Sequence, residues 1–419
     1  MMWLFLIFSC DSDSLKGVDT GQDLVNTDES AIQECVDFVQ HPESQFIGRN
    51  QPNTDTIPPC SEVWHAFAGA KNSTLELKLT GEPNIDVRVE TLLGDPLDDW
   101  VSVGSTSTIQ VDLVQSGELF VVLKNSEPKS VDYGVEVSCL LGCEFEFTRH
   151  PLVFMHGLAG FETLLNVLDY WKGVEELLIP TGFNVQIHAV AAFDDTYTRS
   201  VMWMEHFDAM RSAGVGRRFN LIGHSQGGLD ARYFTSILDT ESQIASITTV
   251  ATPHHGSSIA GLFDNAIDLS PADGAVLDAL VSGAAELFGS TGDSLSNQLS
   301  QMTPESMVAF NQSAPDVSGV QYFSWAGRSC RYLQLQCQAD MSGETVSSYL
   351  LLSHGYVENR EGSNDGLVSV ESARWGNFLG VLPADHLDEV GYRYDLSNQP
   401  FDSAQFYLSE ARRLSQLGL

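Results

Sequence analysis

The chain has 419 residues, 43% of them hydrophobic, which is enough for one large folded domain and a smaller one. It carries 56 acidic and 21 basic residues, a formal net charge of −35. So much negative charge argues against nucleic acid and anionic lipid headgroups as partners held by electrostatic attraction, and it favours solubility and tolerance of salt.

The chain begins MMWLFLIFSCDSDS. The apolar run is too short to span a bilayer, so residues 1–10 are interpreted as a secretory signal and excluded from the fold. The run Ile7 to Cys10 resembles a bacterial lipobox, in which Cys10 would become the lipid-modified N-terminus. Residues 11–34 are polar and are interpreted as a tether.

Residues 35–143 show hydrophobic residues at every second position, as in the stretches around Leu77, Val87, Val111 and Val135. Short alternating strands separated by Gly, Pro and Asn turns predict a small antiparallel β-sandwich. No catalytic constellation occurs in this part of the sequence. We therefore interpret it as an accessory domain whose role the sequence leaves open.

Six cysteines remain when Cys10 is set aside. In an exported protein this even number is consistent with disulfide bonds. Cys330 and Cys337 are isolated from the others in sequence and are expected to pair. The connectivity of the remaining four stays open: Cys35, Cys60, Cys139 and Cys143.

After Arg149 the pattern changes to compact apolar strands separated by segments of helical length. The predicted strands are Leu152–Met155, Phe183–Val190, Phe219–Ile222 and Ile247–Ala251. Strands that alternate with helices predict a mostly parallel sheet with helices on both faces. Residues 148–419 are expected to form this second domain.

The stretch Gly223-His224-Ser225-Gln226-Gly227 matches the pattern G-x-S-x-G of a nucleophile elbow. In that motif the serine lies on a tight turn between a strand and a helix. Phe219–Ile222 supplies the strand and Leu229–Leu238 the helix. Ser225 is therefore the candidate nucleophile, and the alternative is a serine in an ordinary loop.

A serine needs a base to take its proton, and in this fold the chain order is nucleophile, acid, histidine. Asp365, in a glycine-flanked turn, is the predicted acid, and His386 is the only histidine that follows it. Asp385 is too close in sequence to face the ring of its own neighbour. The other histidines after Ser225 precede the acid: His254, His255 and His354.

The tetrahedral intermediate of ester hydrolysis needs two backbone donors for its oxyanion. One is the amide that follows the nucleophile, that of Gln226. The second is expected from the loop His156-Gly157-Leu158-Ala159-Gly160, whose glycines allow an amide to turn inward. Leu158 is the predicted donor.

Five segments together resemble the secreted true lipases of Pseudomonas and Burkholderia: V-F-M-H-G-L-A-G-F, N-L-I-G-H-S-Q-G-G-L, T-P-H-H-G-S, N-D-G-L-V-S-V and H-L-D-E-V. They occur in the family's order across residues 148–419. The resemblance implies an α/β-hydrolase fold, a triad of Ser225, Asp365 and His386, and an oxyanion hole at Leu158 and Gln226.

The resemblance also implies one structural calcium ion that braces the loop bearing the catalytic histidine. The implied ligands are the carboxylates of Asp340 and Asp388 and the backbone carbonyls of Tyr392 and Leu396, a mixture of oxygens that suits calcium. Glu389 receives no role. A separately encoded folding chaperone is a further implied partner.

An insert at residues 257–320 is expected to contain a lid. Ser270-Pro271-Ala272-Asp273 is a strong helix start, and Val276, Leu280 and Ala284 lie on one helical face. A helix at this place resembles the family's lid, which would cover the site in water and open at a lipid surface. The alternative is an ordinary packed helix.

The sequence thus predicts a secreted or outer-surface lipoprotein that hydrolyses carboxylic esters, above all triacylglycerols, through a serine nucleophile. The alternatives are a short-chain esterase or a phospholipase with the same triad. An alternative of another class is a surface-anchored binding protein with an inactive hydrolase domain. Chain-length preference and loss of activity on replacing the serine distinguish these functions.

Overall fold

The computed structural model describes residues 39–40, 45–82, 84–97, 99–158, 170–264, 269–288, 296, 298–335, 337, 344–394 and 401–419. The predicted lipobox at Cys10, the tether, and the implied calcium ligands Asp340 and Leu396 lie outside these residues. None of the described helices is both long and apolar enough to cross a membrane.

The described residues between 39 and 141 form ten strands in two sheets. One sheet has the order β1-β4-β9-β6-β7, with β2 also beside β4, and the other has the order β3-β10-β5-β8. The strands are β1 Val39–Gln40, β2 Gln45–Phe46, β3 Asn53–Ile57, β4 Ser61–Gly69, β5 Thr74–Gly81, β6 Ile85–Glu90, β7 Val101–Val103, β8 Thr106–Asp112, β9 Gly117–Asn125 and β10 Val131–Leu141.

The two sheets share one apolar core, to which the alternating residues of both contribute, among them Leu77, Val87, Val111 and Val135. The predicted alternation is therefore confirmed for these strands. The pairing differs from the prediction at one edge, where β1 and β2 run parallel to β4. The intervening strand β3 pairs in the other sheet, so the chain returns to β4 in its original direction.

The second part of the chain contains a six-stranded sheet in which every adjacent pair is parallel. Its order is β12-β11-β13-β14-β15-β16. The strands are β11 Leu152–Met155, β12 Val185–Ile187, β13 Phe219–His224, β14 Ile244–Val250, β15 Gln321–Arg328 and β16 Asn377–Pro383. β12 is shorter than the predicted strand Phe183–Val190.

Helices separate these strands. They are α1 Val174–Thr181, α2 Thr196–Ser212, α3 Gln226–Tyr233 with a π-helical continuation Phe234–Leu238, α4 Ser258–Asp264, α5 Pro271–Phe288, α6 Pro304–Ser313, α7 Leu351–Glu361 and α8 Ser403–Gln416. Short 3₁₀ turns lie at Ser300–Met302 and Asp388–Val390.

The side chains of β11 show how the helices cover the sheet. Leu152 and Phe154 belong to an apolar core shared with α1 and α8, whereas Val153 and Met155 belong to a second core shared with α2 and α3. Successive side chains of a strand point to opposite faces of its sheet. Helices therefore cover both faces of the parallel sheet, as predicted, and β11 is apolar throughout because both of its faces are buried.

Two disulfides lie among the described residues with both partners visible. Cys330 is bonded to Cys337 just after β15, and Cys139 is bonded to Cys143 at the end of β10. Cys60 is disulfide-bonded as well. The pairing of Cys139 with Cys143 settles part of the connectivity that the sequence left open.

Candidate active site

Ser225 lies on the sharp turn between β13 and α3, with φ 54° and ψ −128°. A positive φ is uncommon for a residue with a Cβ and marks stored backbone strain. The surrounding glycines permit the turn: a Cβ at Gly227 would lie 2.1 Å from the Met155 carbonyl oxygen, and one at Gly228 would lie 2.1 Å from Thr252 Oγ1. The glycines beside the serine are therefore required by close packing of backbone segments.

The serine side chain opens onto a cavity of about 130 Å³ whose lining is mostly apolar. His386 lines the same cavity. Among the described side chains no hydrogen bond joins Ser225 to His386. In enzymes without substrate such catalytic hydrogen bonds are often long and tighten only in the complex. The hydroxyl of Ser225 and the imidazole of His386 thus lie at the same cavity.

Asp365 is fully buried and holds the imidazole of His386. Its Oδ2 lies 2.8 Å from His386 Nδ1, and the His386 backbone amide donates to the Asp365 carbonyl at 2.9 Å. The other carboxylate oxygen accepts from the amides of Leu367 and Val368 at 2.8 and 2.7 Å. A carboxylate bonded to Nδ1–H leaves Nε2 of the ring as the proton acceptor.

The two predicted oxyanion donors flank the serine. Gln226 is the first residue of α3, and amides in the first turn of a helix have no partner within the helix. Leu158 follows β11 and lines the cavity. The preceding Gly157 lies so near the nucleophile that a Cβ there would be 2.7 Å from the Ser225 Cβ. Gln226 adjoins the serine along the chain and Leu158 lies at the cavity, so both stay the predicted donors to a carbonyl oxygen bound at the serine.

The side chain of Gln226 is itself held in place. Its amide nitrogen donates to the Asp194 carbonyl at 3.0 Å, and its amide oxygen accepts from the side chain of Gln298. These two bonds fix the Gln226 side chain and leave only its backbone amide for the predicted role as an oxyanion donor.

The sequence did not identify a buried network behind the histidine. Glu389 Oε2 lies 2.8 Å from His224 Nε2 and 3.8 Å from His386 Nδ1. His224 Nδ1 lies 2.7 Å from the Tyr170 hydroxyl, which also accepts from the Gly157 amide at 3.0 Å. The network links the histidine loop to the oxyanion loop. The signal in the sequence is weak: an acid three residues after His386, one turn along the chain.

A second unpredicted feature is an ion pair beneath the elbow. Arg199 Nε donates to Asp230 Oδ2 at 2.7 Å, and both side chains are fully buried. The guanidinium also donates to the carbonyls of His156 at 2.5 Å and Ala191 at 2.7 Å. Burial raises the pKa of Asp230 to about 6, while the charge of Arg199 acts in the opposite direction. The pair ties α2 to the helix after the nucleophile and to the oxyanion loop.

The remaining candidates have other partners. His254 Nε2 lies 2.9 Å from Thr249 Oγ1, and His354 Nε2 lies 3.0 Å from the Ser329 carbonyl. Asp385 accepts from the backbone amides of the turn that follows it, at Leu387 and Asp388, rather than from His386. These contacts are structural, in agreement with the choice of Asp365 and His386.

The histidine turn is rich in buried acids. Asp385, Asp388 and Glu389 are all at most 2% exposed, and burial raises the pKa of Asp385 and of Glu389. Glu389 forms, with His224 and His386, a group whose ligand atoms lie within 4.8 Å of one another and could hold a metal ion. The described calcium candidates are Asp388, in the 3₁₀ turn, and Tyr392, whose amide donates to the Leu387 carbonyl at 2.9 Å.

Helix α5 begins as predicted. The amide of Asp273 donates to Ser270 Oγ at 3.2 Å, so the serine caps the helix. Leu280, Gly283 and Ala284 line the cavity that holds Ser225. The Tyr349 hydroxyl donates to Glu286 of this helix at 3.1 Å. The predicted lid helix thus covers the reaction space with its small and apolar face.

Buried histidines make the folded state sensitive to acid. Burial lowers the pKa of His150 to about 3, of His156 to about 3, and of His254 well below 6.5. Below pH 6.5 these histidines are protonated in the unfolded chain but stay neutral in the folded chain. The free energy of unfolding therefore falls as the pH is lowered toward about 3. Each contributes up to about 1.4 kcal/mol per pH unit. The raised pKa of Asp230 acts in the opposite sense between about pH 6 and pH 4.

We therefore expect the melting temperature to fall steadily as the pH is lowered from 6.5 to 4.5. The pKa is lowered for seven histidines of the described residues, these three and also His65, His188, His224 and His354, and they outweigh the three fully buried acids whose pKa is raised, Asp230, Asp385 and Glu389. Calorimetry or circular dichroism at several pH values in one salt concentration measures it. A melting temperature that stays constant over this interval would contradict the neutral, buried state of these histidines.

The chain is similar to known lipases. A family model described as palmitoyl protein thioesterase matches residues 151–302. Curated homologues include bacterial triacylglycerol lipases: one from Pseudomonas fragi is 28% identical over 301 residues, covering 65% of this chain and 98% of the relative. One from Vibrio cholerae is 28% identical over 293 residues, covering 65% of this chain and 89% of the relative.

Among solved structures, the mature form of Bacillus licheniformis lipase BlEst2 matches with a TM-score of 0.47 and 19% sequence identity, covering 64% of this chain and 92% of that one. Staphylococcus hyicus lipase matches with a TM-score of 0.46 and 18% identity, covering 64% and 96%. The match to the triacylglycerol lipases shows that the chain is a carboxylic ester hydrolase.

Proposed function

We propose that this chain, a homologue of the bacterial triacylglycerol lipases and a carboxylic ester hydrolase, cleaves triacylglycerols at a lipid–water interface with Ser225, His386 and Asp365 as its catalytic triad. The observation that carries the proposal is the buried bond between Asp365 and His386 on the cavity that also contains the strained Ser225. The parallel sheet with helices on both faces fits an α/β-hydrolase domain. The two sheets formed by β1 to β10 fit a β-sandwich accessory domain.

In this mechanism His386 Nε2 takes the proton of Ser225 as Oγ attacks the ester carbonyl. Asp365 holds the ring in the required tautomer and stabilises the imidazolium ion. The amides of Leu158 and Gln226 donate to the oxyanion of the tetrahedral intermediate. The intermediate expels the alcohol, which receives the proton from His386. Water activated by the same ring then releases the fatty acid from the acyl-enzyme.

The cavity supports a long apolar acyl chain as substrate. Its lining includes Leu158, Ile259, Leu280, Leu299 and Val390, and polar groups are few. An acyl chain gains free energy from each methylene group removed from water, about 0.8 kcal/mol for each. A short soluble ester would leave most of this surface without a contact. The short-chain esterase and the phospholipase remain the rival activities.

The test is hydrolysis of p-nitrophenyl esters of increasing acyl length, of a phospholipid dispersion and of emulsified triolein, with a Ser225→Ala variant as the blank. We expect the highest rate on long-chain and emulsified substrates, and a rate at the blank level in the variant. Activity confined to soluble short esters would replace the lipase by an esterase. Folded wild-type protein without any activity would favour the binding-protein alternative.

We also propose one structural calcium ion at the histidine loop. The donor chemistry fits: Asp388 supplies a buried carboxylate and Tyr392 a backbone carbonyl, and the buried acids Asp385 and Glu389 lie in the same turn. Asp340 and Leu396 would complete the ligand set. The ion would supply charge compensation and hold the loop that carries His386, without taking part in the reaction.

Removing calcium is therefore expected to lower the melting temperature of the whole chain and to slow ester hydrolysis. Asp388→Asn is expected to abolish this effect of EDTA, since the site would be lost already. Melting curves and calorimetric titration with calcium chloride measure both. Identical melting curves with calcium and with EDTA in the wild type would refute the site.

The chain is further proposed to be extracytoplasmic, either secreted or anchored through a lipid at Cys10. The support is its disulfides, which persist in oxidising compartments. A lipid or ester substrate is the proposed ligand, and a lipase-specific folding chaperone is a proposed partner. Nucleic acid stays excluded by the net charge of −35.

A further inference from the structure

Large apolar side chains protrude from the loop between Cys330 and Cys337. Tyr332, Leu333 and Leu335 are 68%, 77% and 74% exposed. Because most of their surface faces solvent, these three side chains gain little free energy from apolar burial within the chain. An exposed apolar patch of this kind marks a surface that is buried against something else.

Leu333 adds a conformational argument. Its φ is 81°, in the left-handed region, although it carries a Cβ. That conformation is uncommon for residues other than glycine and asparagine, and it is unfavourable for a leucine. A solvated turn at this position would be served better by glycine or asparagine. The leucine side chain is therefore retained for a contact outside the described fold.

The loop is held firmly at its base. Cys330 is fully buried and bonded to Cys337. Arg331 forms an ion pair with Glu358 of α7 at 2.7 Å, and Gln334 donates to the same carboxylate group at 2.7 Å. The apolar tip is thus presented by a braced segment, so little ordering entropy is lost when it binds.

Exposed leucines also lie on α7, at the end of the helix that adjoins the cavity. Arg331 lies 3.5 Å from the position a Cβ would take at Gly355, and Leu351 is on the same helical face as Gly355 and Glu358. Leu351 and Leu352 are 43% and 49% exposed. The next residue back, Leu350, lines the cavity that contains Ser225. The loop therefore contacts α7 through the ion pair of Arg331 and Glu358, and the exposed leucines lie on the same helix, beside the cavity.

The charge of this region indicates the partner. Residues 332–335 contain no charged side chain, nor do residues 346–357, in a chain with a net charge of −35. An anionic surface would be repelled by the chain as a whole. The carboxylate that contacts the loop, that of Glu358, is already bound by Arg331 and Gln334 and so offers little to a cationic protein. An uncharged lipid surface matches both the apolar tip and the absence of charge.

We propose that Tyr332, Leu333, Leu335, Leu351 and Leu352 form an interfacial docking surface that inserts into an uncharged lipid surface and brings the cavity of Ser225 against it. The inference rests on the proposed function, from which it takes lipid as the substrate. Its test does not depend on that function, because the protein can bind a lipid surface without hydrolysing it. The docking surface extends the contact with lipid beyond the lid helix to a separate, disulfide-braced loop.

The experiment uses the full chain in a Ser225→Ala background, floated with triolein droplets coated with phosphatidylcholine, and with droplets that also contain phosphatidylglycerol. The docking variant carries Tyr332→Ser, Leu333→Asn and Leu335→Ser, of which asparagine tolerates the left-handed backbone. The control variant carries Val114→Ser and Val308→Ser, at side chains 81% and 59% exposed elsewhere on the chain. Melting curves check that every variant is folded.

We expect the docking variant to bind neutral droplets at least about tenfold more weakly than its parent, the loss corresponding to the transfer free energy of one apolar side chain or more. The control variant should bind like the parent, and phosphatidylglycerol should weaken binding. With Ser225 restored, the docking variant should hydrolyse a soluble short ester at the parental rate.

Equal droplet binding by the docking variant and its parent would overturn the docking surface. So would a parent that sediments as a dimer and a docking variant that sediments as a monomer, since a second copy would then be the partner. Loop-dependent droplet binding by a wild type that fails to hydrolyse triolein would remove the proposed function and leave the docking surface standing.

Discussion

Replacing His386 by alanine is expected to lower kcat/KM for a long-chain ester by about 10⁴- to 10⁶-fold, because the Ser225 hydroxyl then has no base to take its proton. Initial rates on a p-nitrophenyl ester, against the rate without enzyme, measure the loss. The variant should remain folded, since His386 lies on a cavity wall rather than in the core. Residual catalysis from the oxyanion amides should stay above the uncatalysed rate.

Two companion variants make the result specific. Asp365→Asn preserves the shape of the side chain but disturbs the tautomer of His386, so we expect a loss of about 10⁴-fold in kcat. His255→Ala removes an exposed histidine after β14 that makes no bond to the triad, and its rate should stay within about twofold of wild type. A His386→Ala variant with more than a tenth of wild-type activity would show that another residue is the base.

The second large effect concerns stability. Asp230→Ala is expected to destabilise the chain by about 3–5 kcal/mol, because it leaves the guanidinium of Arg199 buried without its counter-charge. The carbonyls of His156 and Ala191 stay as acceptors, but they cannot neutralise the charge. For a domain of this size we expect a melting temperature lower by about 10 °C. Thermal or urea unfolding of the purified variant measures it.

A double variant separates the lost charge pair from the lost packing. Arg199→Met combined with Asp230→Leu removes both charges and keeps side-chain volume, and such replacements of buried pairs are often close to neutral. We expect the double variant to be clearly more stable than Asp230→Ala alone. If the two are equally unstable, the cost arises from the Arg199 bonds to the oxyanion loop. Slower ester hydrolysis by a folded double variant would point to the same bonds.

The residues of the candidate site could be predicted where a local sequence motif or the order of residues along the chain identifies them. Ser225 sits in a pattern whose first glycine is required by a local contact, that of Gly223 with Gly228, so part of the geometry is carried by the motif itself. Gly227 and Gly228 pack against Met155 and Thr252, which are distant in sequence. Asp365 and His386 could be chosen by chain order. Their separation of 2.8 Å, by contrast, depends on β15 and β16 lying side by side in the sheet.

The features that the sequence missed are long-range and polar. Glu389 reads as one more acid in an acidic chain, and its bond to His224 joins residues 165 apart in sequence. Arg199 and Asp230 lie on two different helices with no pattern that links them. Pairs of this kind form only when separate helices or loops pack together, so neither hydrophobic periodicity nor a sequence motif predicts them.

The sequence by itself determined the change of strand period after Arg149, the order of strand, turn and helix around Ser225, and the capped start of α5, because each of these depends mainly on neighbours within about ten residues. Only the tertiary structure decided the parallel pairing of β1 and β2 with β4, the packing of Gly227 and Gly228 against Met155 and Thr252, the buried network behind His386, and the position of the exposed loop beside α7. Those features depend on which distant segments share a sheet or a helix face, and backbone hydrogen bonding and apolar burial select that arrangement for the chain as a whole.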